Sequence, residues 1–391
     1  MNASELYKTK LWIYVFGFTI WEVYNALSLT AIADPFQQGF LWIRWIGLSV
    51  ICVSIFLLAD VRVNLLKQTF FLVLASIVMY FNIFLNREYV WLDIFVITLA
   101  SIGLSIDEIL RYFWKTSLLI YGVIVSSSLL GIIQNQVTYG AGRTRSNLGF
   151  TWSTFNSHEL LSILCMVIWC YGKKLNWIIL LIINTLNIFL FIKTDTKAPF
   201  LLILATSMCV VFLKLKDIKI SNKEAFKSAF GMMPTLLTVL VVYLSANFSK
   251  FSDLNRLLSN RLYLGNQALS KYPLNFKGNS LNFVSFNSII SSYFTIDSSY
   301  LRYLLNFGLI STIIVLFAMF VVLRKIYSTG NTFKILAVTI IMINGFSDPW
   351  LLNLGYNPFI LFLSTYLVSP MNYKMLGERK IENNSISRYL Q

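Results

Sequence analysis

The chain has 391 residues, of which 57% are hydrophobic and only 13% charged, with a mean hydropathy of +0.68. So little polar surface cannot cover a water-soluble globule of this size, and the composition excludes one. A formal charge of +15 does not signal nucleic acid, because the lysines and arginines are scattered among apolar runs and form no single stripe.

Apolar runs near the ~20 residues needed to cross hydrocarbon recur from end to end, so residues 1–391 read as one membrane domain. The runs fall at about 11–32, 40–59, 68–86, 89–106, 116–133, 158–172, 176–192, 197–213, 229–247, 299–323, 333–346 and 357–370. They predict an all-α polytopic membrane protein of about twelve transmembrane helices. The first run follows Lys8 and Lys10 and continues through Trp21 to Ile32 without a small-residue cleavage site, so it reads as a retained span. Cys52, Cys165, Cys170 and Cys209 lie inside apolar runs without C-x-x-C spacing, which indicates packing and not disulfides. With His158 the sole histidine, neither a metal site nor a cofactor is expected.

Lysines and arginines of short loops favour the cytoplasmic side. A cytoplasmic amino terminus places Lys173, Lys174, Lys214, Lys216, Arg324 and Lys325 there, with 371–391 as a cytoplasmic tail. Two long segments then fall outside, a basic loop at 134–157 and a loop at 248–298. Connections longer than ~12 to 15 residues are usually functional or disordered. In the second, Leu254, Leu257, Leu258, Leu262 and Leu264 recur at roughly helical spacing, which predicts a partly helical cap on the membrane surface. No internal repeat of fixed period is visible, which weakens an inverted-repeat transporter architecture.

This orientation leaves Arg143, Arg145, Lys197 and Arg261 on the exterior, where the charge bias disfavours them unless something anionic is bound. Guanidinium forks hold phosphate oxygens bidentately and stay charged, which suits a pyrophosphate leaving group. Solvated arginines resting on lipid headgroups are the plainer alternative. Gly142 to Phe150 leads into Asn156, Ser157, His158 and Glu159, so two arginines and a His-Glu pair converge at one membrane edge. Asp195 and Lys197 sit at a junction of two runs and read either as a snorkelling pair or as a phosphate contact with a carboxylate. Asp297 opens the run at 299, where capping of a helix is the plain explanation.

These residues form an ordered series: Arg145 to Phe150 (R-x-x-x-G-F), Thr194 to Lys197, Leu258 to Arg261, a glycine-centred turn at Phe276 to Asn279, Asp297 to Leu301 with Gly308-Leu309-Ile310 behind it, and Asn357-Pro358. In order and spacing the series resembles the Wzy-type oligosaccharide repeat-unit polymerases, the O-antigen and capsular polysaccharide polymerases, over about residues 143–358. Lys197 stands where the family usually has Arg, Asn260 where it has Gly, Ser298 where it has Asn, and Asn156 lies slightly late for the usual Pro-Asn. The resemblance implies inverting glycosyl transfer on the outer face of a bacterial plasma membrane. Undecaprenyl-pyrophosphate-linked oligosaccharides would be donor and acceptor, with a flippase and a chain-length regulator as partners. It implies His158 or Glu159 as base, Asp195 and Asp297 behind them, and Arg143, Arg145, Lys197, Arg261, Asn156 and Tyr300 as pyrophosphate or substrate contacts. A ligase moving finished glycan to another acceptor is the nearest rival, and a lipid-linked oligosaccharide flippase or transporter is the rival from another class.

Overall fold

In a computed structural model, residues 3–57, 65–86, 88–140, 143–216, 218, 220–221, 223–281, 283 and 294–367 are described. The expected tail at 371–391 lies outside them.

The chain is mostly helical, which suits so apolar a sequence, because only a helix or a closed barrel could satisfy its own backbone in lipid. In order the helices are α1 (Ala3–Ser28), α2 (Ala33–Phe56), α3 (Leu65–Met79), α4 (Val90–Ala100) and α5 (Ile106–Leu129). A two-stranded hairpin follows, β1 (Val137–Gly140) with β2 (Arg143–Ser146). Next come α6 (Phe155–Tyr171), α7 (Trp177–Thr194), α8 (Lys197–Leu215), α9 (Glu224–Gly231) and α10 (Met233–Ala246). The chain continues through α11 (Ser252–Leu257), α12 (Arg261–Lys271), α13 (Ser299–Arg302), α14 (Gly308–Tyr327), α15 (Thr332–Asn344) and α16 (Ser364–Leu367). Side chains cap the starts of α7 and α15, Asn176 accepting from the Ile178 amide and Asn331 from the Phe333 and Lys334 amides.

Every predicted apolar run holds a helix, but not every helix is a span by length and composition. Among the described residues, five segments are long and apolar enough to cross a membrane: Gln38–Phe56, Leu66–Leu85, Trp177–Thr194, Lys197–Leu215 and Ser299–Tyr327. A sixth appears if α9 and α10, bent by 43°, are one broken span. The others fall short for physical reasons. Helix α1 carries Glu5, Lys8, Lys10 and Glu22, and α5 carries Asp107, Glu108, Arg111 and Lys115. Helices α4, at 11 residues, and α15, at 13, are shorter than a bilayer core.

The centre of the bundle is α6, buried at every position from Phe155 to Trp169 and packed against α5, α7, α8 and α15. A helix apolar on all sides belongs inside, which is why it reads as a span although protein surrounds it. Helices α1 and α2 approach closely at Gly17 and Gly47, where an added Cβ would come within 2.8 Å of Ile51 and of the Trp21 backbone. The buried charges Arg44 and Asp93 pair bidentately, at 3.0 Å from Nε and 2.8 Å from Nη2 to one carboxylate oxygen, with Trp21 Nε1 donating at 3.1 Å. That contact joins α2, α4 and α1 and is structural.

The leucine-rich segment expected to be partly helical holds two helices, α11 and α12. Ser259 and Asn260 between them both have positive φ, 56° and 65°. Left-handed backbone costs an ordinary residue about 1 to 2 kcal/mol and asparagine less, so Asn260 is the next best choice to the glycine expected there. Its amide donates to the Asn255 carbonyl at 2.8 Å, and Asn255 Oδ1 accepts from the Tyr263 amide at 3.0 Å. The turn makes Arg261 the first residue of α12 and sinks Leu262 and Leu264, while Leu257 stays exposed.

Candidate functional site

Several helix ends meet at one end of the bundle. The carboxyl end of α1 bonds the 149–151 turn, the Thr151 amide donating to Leu29 O at 2.9 Å. Ser157 at the start of α6 lies 3.5 Å from Thr194 at the end of α7, and Thr194 Oγ1 lies 2.7 Å from Thr196 Oγ1 before α8. Arg261 opens α12, Ser299 opens α13, and Asn344 ends α15.

His158, one turn into α6, is 2% exposed. Its Nδ1 lies 3.0 Å from Asn344 Oδ1, and its Nε2 lies 3.6 Å from Asp348 Oδ1. Asn344 Nδ2 donates to Asp348 Oδ2 at 3.4 Å, which orients the amide so that Nδ1 of the imidazole is the donor and Nε2 carries the lone pair. Asp348 is held through its backbone, its carbonyl accepting from the amide and hydroxyl of Ser299 at 3.1 and 2.5 Å. Burial pushes the Asp348 carboxyl up to about 7, opposed by the positive charge of Arg261. The carboxyl is therefore partly protonated near neutral pH, 3.6 Å from the imidazole.

Beside this pair, Arg261 Nε donates to Asp297 Oδ2 at 3.1 Å, with the side chains 20% and 25% exposed. Asp297 makes no cap to α13; Thr295 Oγ1 is its other hydrogen-bond partner, at 3.4 Å. Pairing with Arg261, and not helix capping, accounts for this aspartate. The contact borders a small cleft with Ser245, Ser298, Phe346 and Ser347. Because the pairing goes through Nε, it leaves the terminal nitrogens of Arg261 for a ligand.

Arg143 and Arg145 lie on β2, in register with Gly140 and Thr138. The segment expected as a basic loop at 134–157 is thus this hairpin plus a tight turn, in which Leu148 and Gly149 have φ of 50° and 90°. Asn156 Nδ2 donates to Asn147 O at 3.2 Å, so Asn156 anchors the hairpin to the first turn of α6. Strand β2 also packs against α7. Asp195 ends α7 in a left-handed conformation, with φ of 47°, and Lys197 opens α8 with its side chain exposed. Tyr300 is fully buried and donates to Met342 O at 2.7 Å, fastening α13 to α15.

Glu159 is adjacent to His158 in sequence but not in surroundings. About 100° around the helix, it faces Glu22, Tyr121 and Tyr356 instead of Asp348 and Arg261. Sequence alone did not point to Asn344, Asp348 or Arg302, whose guanidinium lies 5.6 Å from the Trp350 ring and acts electrostatically on Asp348. The one signal for them was a lone carboxylate in the Ser347-Asp348-Pro349 junction. Comparison with family models, curated proteins and solved structures gives no match for the chain.

Proposed function

We propose that the chain is a polytopic plasma-membrane enzyme that polymerises undecaprenyl-pyrophosphate-linked oligosaccharide repeat units by inverting glycosyl transfer. In this reading all twelve apolar segments cross or enter the bilayer of a bacterial cell, both termini are cytoplasmic, and α11 with α12 caps the outer face. The single observation that carries it is the juxtaposition of the half-open Arg261–Asp297 pair with the buried His158–Asp348 pair. A cation that binds phosphate stands beside a group that accepts a proton.

The acceptor hydroxyl oxygen attacks the anomeric carbon of the growing glycan, the bond from that carbon to pyrophosphate breaks, and the hydroxyl proton passes to Nε2 of His158. Asp348 stabilises the imidazolium, and Asn344 fixes the ring. Arg261 receives the departing pyrophosphate, with Arg143, Arg145 and Lys197 as further cations at the same end of the bundle. Lipid headgroups, a flippase and a chain-length regulator are the remaining partners.

The test is glycan length on the lipid carrier after deletion of the chain. Single repeat units accumulating on the outer leaflet support a polymerase. Full-length chains left on undecaprenyl pyrophosphate would make it a ligase, and units trapped on the inner leaflet would make it a flippase.

A further inference from the structure

Apart from the His158 group, a second set of buried polar atoms lies in the bundle. Glu22 on α1 and Glu159 on α6 are 0% and 1% exposed. One oxygen of Glu22, both oxygens of Glu159 and the hydroxyls of Tyr121 and Tyr356 have no hydrogen bond of ordinary geometry, the closest approaches being those of Tyr121 to Glu159 and to Tyr356. They are electrostatic neighbours, Tyr121 and Tyr356 each sensing both glutamates. The second Glu22 oxygen accepts from Asn25 Nδ2 at 3.3 Å, and Asn25 Oδ1 accepts from Asn353 Nδ2 at 2.8 Å. Gly355 closes this side, since a Cβ there would strike Asn25 and stand 2.8 Å from Glu22.

Among the described residues, the titratable groups that act on the pair are Tyr121 from α5 and Tyr356 from residues 345–357, and each glutamate acts on the other, with Asp348 acting on Tyr356. Among the described residues, neither glutamate is ion-paired to a lysine or arginine, and the paired basic residues are committed elsewhere. Two buried carboxylates repel each other and have each lost several kcal/mol of hydration. A buried polar atom left without a partner costs about 1 to 3 kcal/mol more. Two tyrosine hydroxyls cannot supply donors for three carboxylate oxygens and for each other, so the set calls for an occupant that satisfies the remainder. All of them are hard oxygen donors, and the site is doubly acidic, so the matching chemistry is a hard cation.

We propose that Glu22, Glu159, Tyr121 and Tyr356 form a buried site for a small monovalent cation, either an alkali-metal ion or a proton. The site is separate from the pyrophosphate contacts and does not depend on the glycosyl-transfer reading. The experiment is thermal unfolding of the purified full-length chain in detergent at about pH 8.5, titrated with NaCl or KCl while N-methylglucamine chloride holds ionic strength constant. An alkali-ion occupant gives a saturable rise in midpoint that Glu22→Gln and Glu159→Gln each abolish and Gly355→Ala weakens. A proton occupant gives no alkali effect, but a midpoint that falls as pH is raised from about 6 to 9, and Glu22→Gln flattens that fall. A native chain indifferent to alkali ions and to pH over this range overturns the proposal, as does either response surviving intact in both amide variants. Because Asp348 also titrates at about 7, the pH arm is read in an Asp348→Asn background, with and without Glu22→Gln, while the alkali-ion titration on the native chain decides even where a variant fails to fold.

Discussion

Replacing Arg261 by lysine keeps the charge and removes the fork. In the native chain Nε is committed to Asp297 at 3.1 Å, leaving the two terminal nitrogens for phosphate oxygens. A lysine ammonium cannot hold both partners in that geometry. The pair is about one-fifth to one-quarter exposed, so its own contribution to stability, screened by solvent, is only about 1 kcal/mol. The larger loss is one charge-assisted hydrogen bond to the departing pyrophosphate, about 2 kcal/mol, which at ~1.4 kcal/mol per tenfold is roughly a 30-fold fall in chain extension. The assay is the repeat-length distribution made by isolated membranes supplied with lipid-linked repeat units, with thermal midpoint as the check on folding. Arg256→Ala serves as control, because that side chain is 88% exposed and stands as far as 3.9 Å from Asp253. Asp297→Asn and the Arg261→Lys/Asp297→Asn double variant complete a cycle in which the two losses should not add. Activity of Arg261→Lys within threefold of native, or strictly additive losses, would refute the assignment of Arg261 to the leaving group.

The remaining expected outcomes concern pH, a glycine turn and orientation. His158→Ala should stop chain extension with normal protein level in the membrane, and native activity should fall as pH drops through about 7, the range to which burial lifts Asp348; Asp348→Asn should move that inflection, and near-native activity of His158→Gln would reduce the imidazole to a structural group. For stability the sign is opposite: a carboxyl raised by folding favours the folded state at low pH, a contribution lost as pH rises through about 7, and Asp348→Asn should remove that slope in the thermal midpoint. Gly278→Ala should destabilise by about 3 kcal/mol or more, because its φ is 85° and an added Cβ would collide with Asn306 O, prising apart the Asn279 amide and Leu305 O now at 2.9 Å; a midpoint within a degree or two of native would show that the turn can shift freely. Cysteine placed at Ser146 or Ser280 should react with an impermeant thiol reagent in intact cells and cysteine at Ser221 should not, and the reverse pattern would invert the proposed orientation.

Every hydrophobic run holds a helix, because apolar length is a local property, while α9, α11 and α12 lie largely outside the runs. The glycine-centred turn at Phe276 to Asn279 was legible too, but not that its Gly278 meets Gly308 backbone to backbone where Leu309 N donates to Asn275 O at 2.9 Å. Residue types also pointed to His158, Arg261 and Asp297. What sequence could not supply was partnership. Asp297 reads locally as a helix cap, yet it faces Arg261 from 36 positions away. Asp348, silent in sequence, reaches His158 across 190 positions, and Glu159 turns its back on His158 and toward Glu22. Likewise α6 has the composition of a lipid-facing span and is buried from Phe155 to Trp169. Composition and spacing fix which segments leave water, since that free energy sums residue by residue; which buried charge faces which depends on how helices pack around α6, a property of the assembled bundle alone.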